Sequence, residues 1–120
     1  VTTFVVNDEV RVVSCGEDGT VRIWRAIEGG DALVVLEGHD GTVRDVATYL
    51  TSKGEPRVVC CGADKTVRIW DPVAGTQLFL IPLEVHCTTV RVAGEVLVVG
   101  HESPGHMYGP LSYWDILRDP

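Results

Sequence analysis

Short apolar runs and polar turns alternate along this chain with the spacing of β-hairpins. Residues 12–15 and 58–61 are mostly apolar, and each run stops at a glycine followed by Glu-Asp-Gly or Ala-Asp-Lys. Because glycine and aspartate favour turns, each run predicts a strand that ends in a tight turn. The next segments, residues 20–24 and 66–70, are filled with β-branched and aromatic residues that suit a partly buried strand. No segment shows a capped helical period, so the pattern predicts hairpins.

The hairpin is written twice in nearly the same letters. Residues 11–25 read RVVSCGEDGTVRIWR and residues 57–71 read RVVCCGADKTVRIWD, identical at 11 of 15 positions with an offset of 46. A weaker third copy ends in Tyr113-Trp114-Asp115, and its tryptophan follows Trp70 by 44 residues. A period of about 45 residues indicates a repeat architecture, in which one unit of a few strands stacks on the next.

Further strand patterns lie between the hairpins and complete a unit of four strands. They are predicted at residues 1–6, 32–36, 42–49, 77–81 and 88–93. We name the strands of a unit a, b, c and d in chain order, so that the chain begins on strand a and stops after the third strand c. The predicted fold is all-β with just under three four-stranded units, at about residues 1–37, 38–82 and 83–120, the last without its strand d.

Composition narrows the classes of function. The 120 residues carry a formal charge of −7, which disfavours nucleic acid and anionic membranes, because phosphates bind basic patches. The sequence has no apolar run long enough to span a membrane and no signal-peptide pattern. Its four cysteines form no C-x-x-C pair, and Cys15 and Cys61 share one repeat position, which indicates buried structural residues. These features predict an intracellular, cytoplasmic protein without a disulfide framework.

The second unit resembles the WD-repeat β-propeller family. That family places Gly-His before strand a, an Asp in the b–c turn and Trp-Asp at the end of strand c. Here Gly38-His39, Asp64 and Trp70-Asp71 stand in those places. The resemblance extends over essentially the whole chain, so its units are expected to be propeller blades. Each is then a four-stranded antiparallel sheet.

The first and third units depart from the family pattern. The first keeps Asp18 and Trp24 but has Arg25 where Asp is usual. The third keeps Trp114-Asp115, and His86 is aligned with His39 through the shared Leu-Glu-x-His letters.

The resemblance implies a hydrogen-bonded tetrad in each blade, made of the turn Asp, the histidine, a strand-b Ser or Thr and the strand-c Trp. Because Cys60 is a weak hydrogen-bonding group, we expect a triad rather than a full tetrad in the second unit. In the first unit the histidine is absent. The implied residues are His39, Asp64, Trp70 and Cys60 in the second unit, Asp18, Ser14 and Trp24 in the first, and His86 and Trp114 in the third.

Two groups of residues resemble a catalytic site or a metal site. His39 with Asp64 resembles a His–Asp catalytic pair, and Ser14 a nucleophile, but recurrence of the motif in successive units favours a structural role. The sequence therefore predicts no catalytic residue and no cofactor. A cluster of His86, Cys87, His101 and His106 lacks the closed four-ligand spacing of a zinc site, so no metal is predicted.

The predicted partner contacts lie on long loops and recurring arginines. Residues 100–110 replace the short b–c turn of the other units, and inserted loops on repeat proteins often lie on the binding face. In propellers this loop shares a rim with the d–a loops. Arg44 and Arg91 each follow Thr-Val at the start of strand a, which predicts that they occupy one repeat position. Such arginines either face a partner or pair with acids of the neighbouring blade. The candidate contacts are Met107, Tyr108, His106, Asp40, Arg44 and Arg91.

Three open blades would expose apolar sheet faces and an unpaired strand edge. The expected remedies are further blades in sequence outside these residues, or self-association of copies into a closed ring. The predicted function is a non-catalytic scaffold for protein–protein interaction. The alternative is the accessory propeller of a larger enzyme, or of a ubiquitin-ligase or signalling assembly.

Overall fold

The computed structural model describes residues 1–27, 30–83, 86–93, 96–101 and 111–115, and all regular structure in these ranges is β. Runs rich in β-branched and other apolar residues form these strands, and several of the turns that end them contain Gly or Asp. The strands are β1 (Thr2–Val6), β2 (Glu9–Cys15), β3 (Thr20–Arg25), β4 (Val34–Glu37), β5 (Val43–Leu50), β6 (Pro56–Gly62), β7 (Thr66–Asp71), β8 (Thr76–Pro82), β9 (Cys87–Ala93), β10 (Val96–His101) and β11 (Leu111–Asp115).

These strands form three antiparallel meanders, in which each strand pairs with its neighbour in sequence. Sheet 1 has the order β1-β2-β3-β4, sheet 2 the order β5-β6-β7-β8, and sheet 3 the order β9-β10-β11. The all-β prediction, with two four-stranded units and a third of three strands, is confirmed. Strand d of the first unit begins at Val34, two residues later than predicted. The unit boundaries stay predictions, and they fall in the connections between β4 and β5 and between β8 and β9.

Apolar side chains fill the two spaces between the three sheets. Phe4 and Ile23 of sheet 1 join Trp70 of sheet 2 in one core, and Ile69 of sheet 2 joins Leu97 of sheet 3 in the other. Sheet 2 is thus covered on both faces, which explains the continuous apolar run of β6.

Among the residues that the structure describes, sheet 1 is covered on one face only. Val5 on its other face is 55% exposed and Val35 is 41% exposed. The sheets therefore form an open stack, with the inner strands β1, β5 and β9 side by side.

The strand pairing corrects the sequence alignment of the third unit. Val46 pairs with Cys60 and Val90 pairs with Val99, while the strand-c tryptophans pair with the residues two positions before Cys60 and Val99. Val90 therefore corresponds to Val46, and Arg91 takes the place of Ala47. The prediction that Arg91 is equivalent to Arg44 is wrong.

The alignment of His86 with His39 is wrong for the same reason. His39 lies four residues before β5, whereas His86 lies one residue before β9. The matching Leu-Glu-x-His letters misled the alignment because Leu36 lies within β4, whereas Leu83 follows the end of β8 at Pro82. The shared letters therefore do not correspond to a shared position in the sheets.

Candidate functional site

The tight turn between β6 and β7 places Asp64 under the loop that leads into β5. Its carboxylate accepts hydrogen bonds from the Thr66 amide at 3.2 Å and the Thr66 hydroxyl at 2.7 Å, which close the turn. It also accepts from the Asp40 amide at 3.0 Å and from His39 Nδ1 at 3.0 Å. One carboxylate therefore ties the b–c turn of sheet 2 to the loop that precedes its first strand.

His39 extends this contact inward to Cys60 and Trp70. His39 Nε2 lies 2.9 Å from Cys60 Sγ, and the Trp70 indole N–H donates to the same sulfur at 3.2 Å. The predicted triad is wrong, because the thiol joins as a fourth member. We call these four residues, Asp64, His39, Cys60 and Trp70, the His39 network.

The direction of the protons in the His39 network follows from its electrostatics. Burial raises the pKa of Cys60 to about 12, so the thiol keeps its hydrogen. Because His39 Nδ1 donates to the Asp64 carboxylate, Nε2 is the acceptor of the ring and the Cys60 S–H points toward it. Cys60 thus fills the place of a hydroxyl by accepting from the indole and donating to the imidazole.

The charge states support this arrangement. Burial lowers the pKa of His39 despite the opposing effect of Asp64, so the imidazole is neutral. Burial raises the pKa of Asp64, but hydrogen bonds from Thr66, His39 and the Asp40 amide outweigh it and hold that pKa below its ordinary value. The His39 side chain is 1% exposed and both ring nitrogens are occupied, so it cannot reach a substrate. The pair acts as a structural tie.

Sequence reasoning missed two members of the surrounding contact. The Thr66 hydroxyl lies 3.2 Å from His39 Nδ1, and the Arg68 guanidinium donates to Asp64 at 3.4 Å and to Gln77 at 3.0 Å. The sequence feature that marks both residues is the Asp-x-Thr-x-Arg spacing, which the first unit shares. There the Arg22 guanidinium donates to the Asp18 carboxylate at 3.2 Å.

Sheet 1 carries the same arrangement without a histidine. The Trp24 indole N–H donates to the Ser14 hydroxyl at 2.9 Å. The Asp18 carboxylate accepts from the Thr20 amide at 3.0 Å and the Thr20 hydroxyl at 2.8 Å, and these hydrogen bonds lower its pKa. Among the described residues no imidazole joins the Trp24–Ser14 hydrogen bond to the Asp18 turn, and Asp18 is exposed.

The third unit is described only in part. His86 Nδ1 is buried and has no hydrogen-bond partner among the residues that the structure describes. Met107, Tyr108 and His106 lie outside those residues, and so does the side chain of Trp114. Within the described ranges no three His, Cys, Asp or Glu residues are grouped to hold a metal ion.

The loop before β5 and the turn of sheet 1 form one continuous rim. The Val43 amide donates to the Gly16 carbonyl at 3.0 Å, and a Cβ built on Gly19 would lie 2.9 Å from the His39 carbonyl oxygen. Gly19 has a φ of +81°, which glycine adopts without strain. The exposed side chains on this rim are Glu17, Asp18, Asp40 and Arg44.

Arg91 points instead to a neighbouring sheet. Its guanidinium donates to Asp45 of sheet 2 at 2.7 Å, and the same carboxylate oxygen accepts from the Thr89 hydroxyl at 2.7 Å and the Val90 amide at 3.0 Å. The structure therefore gives Arg91 the second of its two expected roles, pairing with an acid of the next unit. Sequence reasoning missed Asp45, because the partners lie 44 to 46 residues apart.

The comparisons with known proteins agree with this architecture. The family described as "WD domain, G-beta repeat" matches residues 2–25 and 30–71, more than half of the chain. The chain belongs to the WD-repeat family. Its three sheets are blades of that family's β-propeller, and the resemblance stated from the sequence is confirmed.

Solved structures support the same fold. The WD40 β-propeller domain of Doa1 is 30% identical with a TM-score of 0.67, over 83% of this chain and 32% of that one. The computationally designed proteins Ika8 and Ika4 are 26% and 28% identical, each with a TM-score of 0.68; the matches cover 96% and 95% of this chain, and 32% and 64% of theirs. This chain thus spans about a third of the Doa1 domain. No curated protein matches it.

Family membership indicates a role at a coarse level. WD-repeat propellers are in general non-catalytic scaffolds that bind protein partners. The described part of the chain contains no helix that could cross a membrane.

Proposed function

We propose that this chain is part of a propeller that binds a protein partner through its b–c and d–a rim and performs no chemistry of its own. The observation that carries the proposal is the His39 network. The side chains of the second unit that resemble catalytic groups are His39, Asp64 and Cys60. They bind one another and hold the rim loops in place. A rigid scaffold that presents loops is the arrangement expected of a binding surface.

The rim has the exposure and charge that a contact surface needs. Asp40 donates its amide to Asp64 while its side chain remains exposed, so the position is ordered but accessible. Glu17 is exposed on the adjoining turn. With the formal charge of −7, these acids favour a neutral or basic partner. Met107, Tyr108 and His106 stay predicted contacts, on the loop that would extend the same rim.

Site-specific photocrosslinking tests which end of the blades contacts the partner. A photoreactive amino acid is placed at Glu17 on the rim or at Val73 in the β7–β8 turn, at the opposite end of sheet 2. Val73 is 51% exposed, so both positions are accessible. We expect a discrete crosslinked partner from position 17 and none from position 73 in cells that express the protein. Equal crosslinking from both positions, or from position 73 alone, would overturn the proposal.

Three predictions remain to be tested: a catalytic segment elsewhere in the protein, the location in the cell, and the cover of the open face of sheet 1. The accessory-domain alternative requires a catalytic segment elsewhere in the protein, and a cytoplasmic location remains an expectation. The open face of sheet 1 needs a cover, supplied by further blades or by a second copy. Light scattering distinguishes these, because a discrete dimer indicates closure by self-association and a monomer or aggregate indicates further blades.

A further inference from the structure

The core between sheets 2 and 3 contains two thiols in contact. Cys61 of β6 and Cys87 of β9 are both 0% exposed and belong to the same apolar cluster. A hydrogen bond joins the Cys61 thiol to the Cys87 sulfur. The Cys87 thiol also donates to the Gly62 carbonyl oxygen, at a sulfur-to-oxygen distance of 3.6 Å. Because β6 belongs to sheet 2 and β9 to sheet 3, this contact crosses from one blade to the next.

The equivalent place between sheets 1 and 2 shows that packing does not require a second thiol. Cys15 lies 46 positions before Cys61. Val43 corresponds to Cys87, because both lie three positions before the matched valines of β5 and β9. Val43 is buried in the first core, and Cys15 packs against that core. A valine therefore fills the position of Cys87 at one interface, so the thiol at the other interface differs by its reactivity and not by its size.

We propose that Cys61 and Cys87 form an oxidisable dithiol, and that a reversible disulfide between them fastens sheet 2 to sheet 3. The co-reactant is a hydroperoxide, of which hydrogen peroxide is the smallest. A disulfide requires the two sulfurs to approach to about 2.05 Å. Because the sulfurs are already in hydrogen-bond contact, the strands need to move only slightly. In reducing compartments, disulfides of this transient kind serve redox sensing.

The oxidation transfers two electrons and two protons from the thiols to the peroxide. The Cys87 sulfur attacks one oxygen of hydrogen peroxide, the O–O bond breaks, the sulfur becomes a sulfenic acid, and the other oxygen leaves as water with the thiol proton. The Cys61 sulfur then attacks the Cys87 sulfur, the S–O bond breaks, and a second water leaves. Cys87 attacks first because the hydrogen bond with Cys61 lowers the pKa of Cys87, whereas that hydrogen bond and burial raise the pKa of Cys61.

Burial determines when this reaction occurs. Neither thiol is exposed, so peroxide reaches the pair when the contact between sheets 2 and 3 opens transiently. Cys87 is the first residue of β9 and Cys61 is the last but one of β6, so the pair lies near the ends of the strands, where opening breaks the fewest contacts. Once formed, the disulfide closes a loop of residues 62–86 and opposes the same opening. The dithiol therefore makes the strength of this inter-blade contact depend on the oxidant.

Oxidation of the folded protein tests the proposal. The reduced protein, whose four cysteines are free, is treated with hydrogen peroxide. The remaining thiols are then blocked with iodoacetamide in denaturant, and linked peptides are identified by mass spectrometry, with fragmentation to separate Cys60 from Cys61. We expect one intramolecular disulfide, between Cys61 and Cys87, that dithiothreitol reduces. Persistence of all four thiols, or a different pairing, would overturn the proposal.

Two variants and an unfolded sample are the controls. Cys60→Ser removes a thiol that faces the other core, so the disulfide should still form, and its loss would contradict the proposal. Cys87→Val introduces the residue that the equivalent interface already holds, and the folded variant should form no disulfide. If Cys87→Val does not fold, the pairing in the unsubstituted protein decides alone. Oxidation in concentrated urea should give mixed pairings, because the folded contact is lost. Equal preference for Cys61 and Cys87 in urea would show that the fold does not direct the reaction, and the proposal fails.

Thermal unfolding measures whether the disulfide fastens the two sheets. We expect the oxidised protein to unfold at a temperature at least about 5 °C above that of the reduced protein, because the closed loop restricts the unfolded chain. Dithiothreitol should reverse this rise. Peroxide-treated Cys87→Val is the control, and its unfolding temperature should not rise. An unchanged or lower unfolding temperature of the oxidised protein would contradict the fastening.

Discussion

Replacing Asp64 with asparagine perturbs the His39 network at the residue with the most contacts. The carboxylate accepts from the Asp40 amide, His39 Nδ1 and both donors of Thr66, and its side chain is 9% exposed. Asparagine keeps the size of the side chain but replaces one oxygen with an NH₂ group. That group then faces donors, so either the His39 N–H or the Asp40 amide is left without an acceptor.

The magnitude follows from two terms. Loss of a hydrogen bond to a charged group costs about 1.5–3 kcal/mol, and a buried donor left without an acceptor costs about 1–3 kcal/mol. The terms overlap, because the same donor appears in both. We expect Asp64→Asn to lower the free energy of unfolding by about 2–4 kcal/mol.

Asp18→Asn is the matched control for this prediction. Asp18 occupies the equivalent turn of sheet 1 and accepts from the equivalent threonine, but it is exposed and has no histidine partner among the described residues. Water can replace its lost contacts, so we expect a distinctly smaller loss. Urea unfolding followed by tryptophan fluorescence measures both variants. If Asp64→Asn is no less stable than Asp18→Asn, or if the Asp64→Asn loss is below about 1 kcal/mol, the reasoning is refuted.

The remaining predictions concern other contacts and use the same unfolding assay. Cys60→Ala should cost about 1–3 kcal/mol because it removes the partner of Trp70 and His39, whereas Cys60→Ser should cost less; equal losses would contradict the proton arrangement. Because the pKa of His39 is depressed below its ordinary 6.5, the unfolded chain binds the proton first, and stability should fall as pH drops through 6.5. A His39→Asn variant that keeps this slope would disprove the assignment. Asp45→Asn should lower the free energy of unfolding by about 1 kcal/mol, and Arg91→Ala by less than about 0.5 kcal/mol because Arg91 is largely exposed. A larger loss for Arg91→Ala than for Asp45→Asn would show that the ion pair contributes more than the other hydrogen bonds of Asp45.

How much of the site could be predicted depended on how local each contact is. Asp64 and Trp70 were found because a turn aspartate and a strand-end tryptophan leave a pattern in the letters. Thr66 belongs to the repeated Asp-x-Thr-x-Arg spacing, but that spacing alone did not indicate a contact with His39. Asp45 left no pattern, because its partners in β9 come from another blade and its own position does not recur in the third unit.

The sequence by itself determined the architecture of this protein. Strand periodicity, turn residues and a period of about 45 residues specify local conformations, and local conformation depends on neighbours a few positions away. Repetition of the hairpin then implied that equivalent strands stack. These inferences needed no knowledge of which side chains meet.

The tertiary structure decided what the stacked sheets bring together. The thiol of Cys60 became a hydrogen-bonding member because burial keeps it protonated between His39 and Trp70, and no pattern of letters reports burial. The place of Arg91 was decided by strand register, which depends on loop length and not on matching residues.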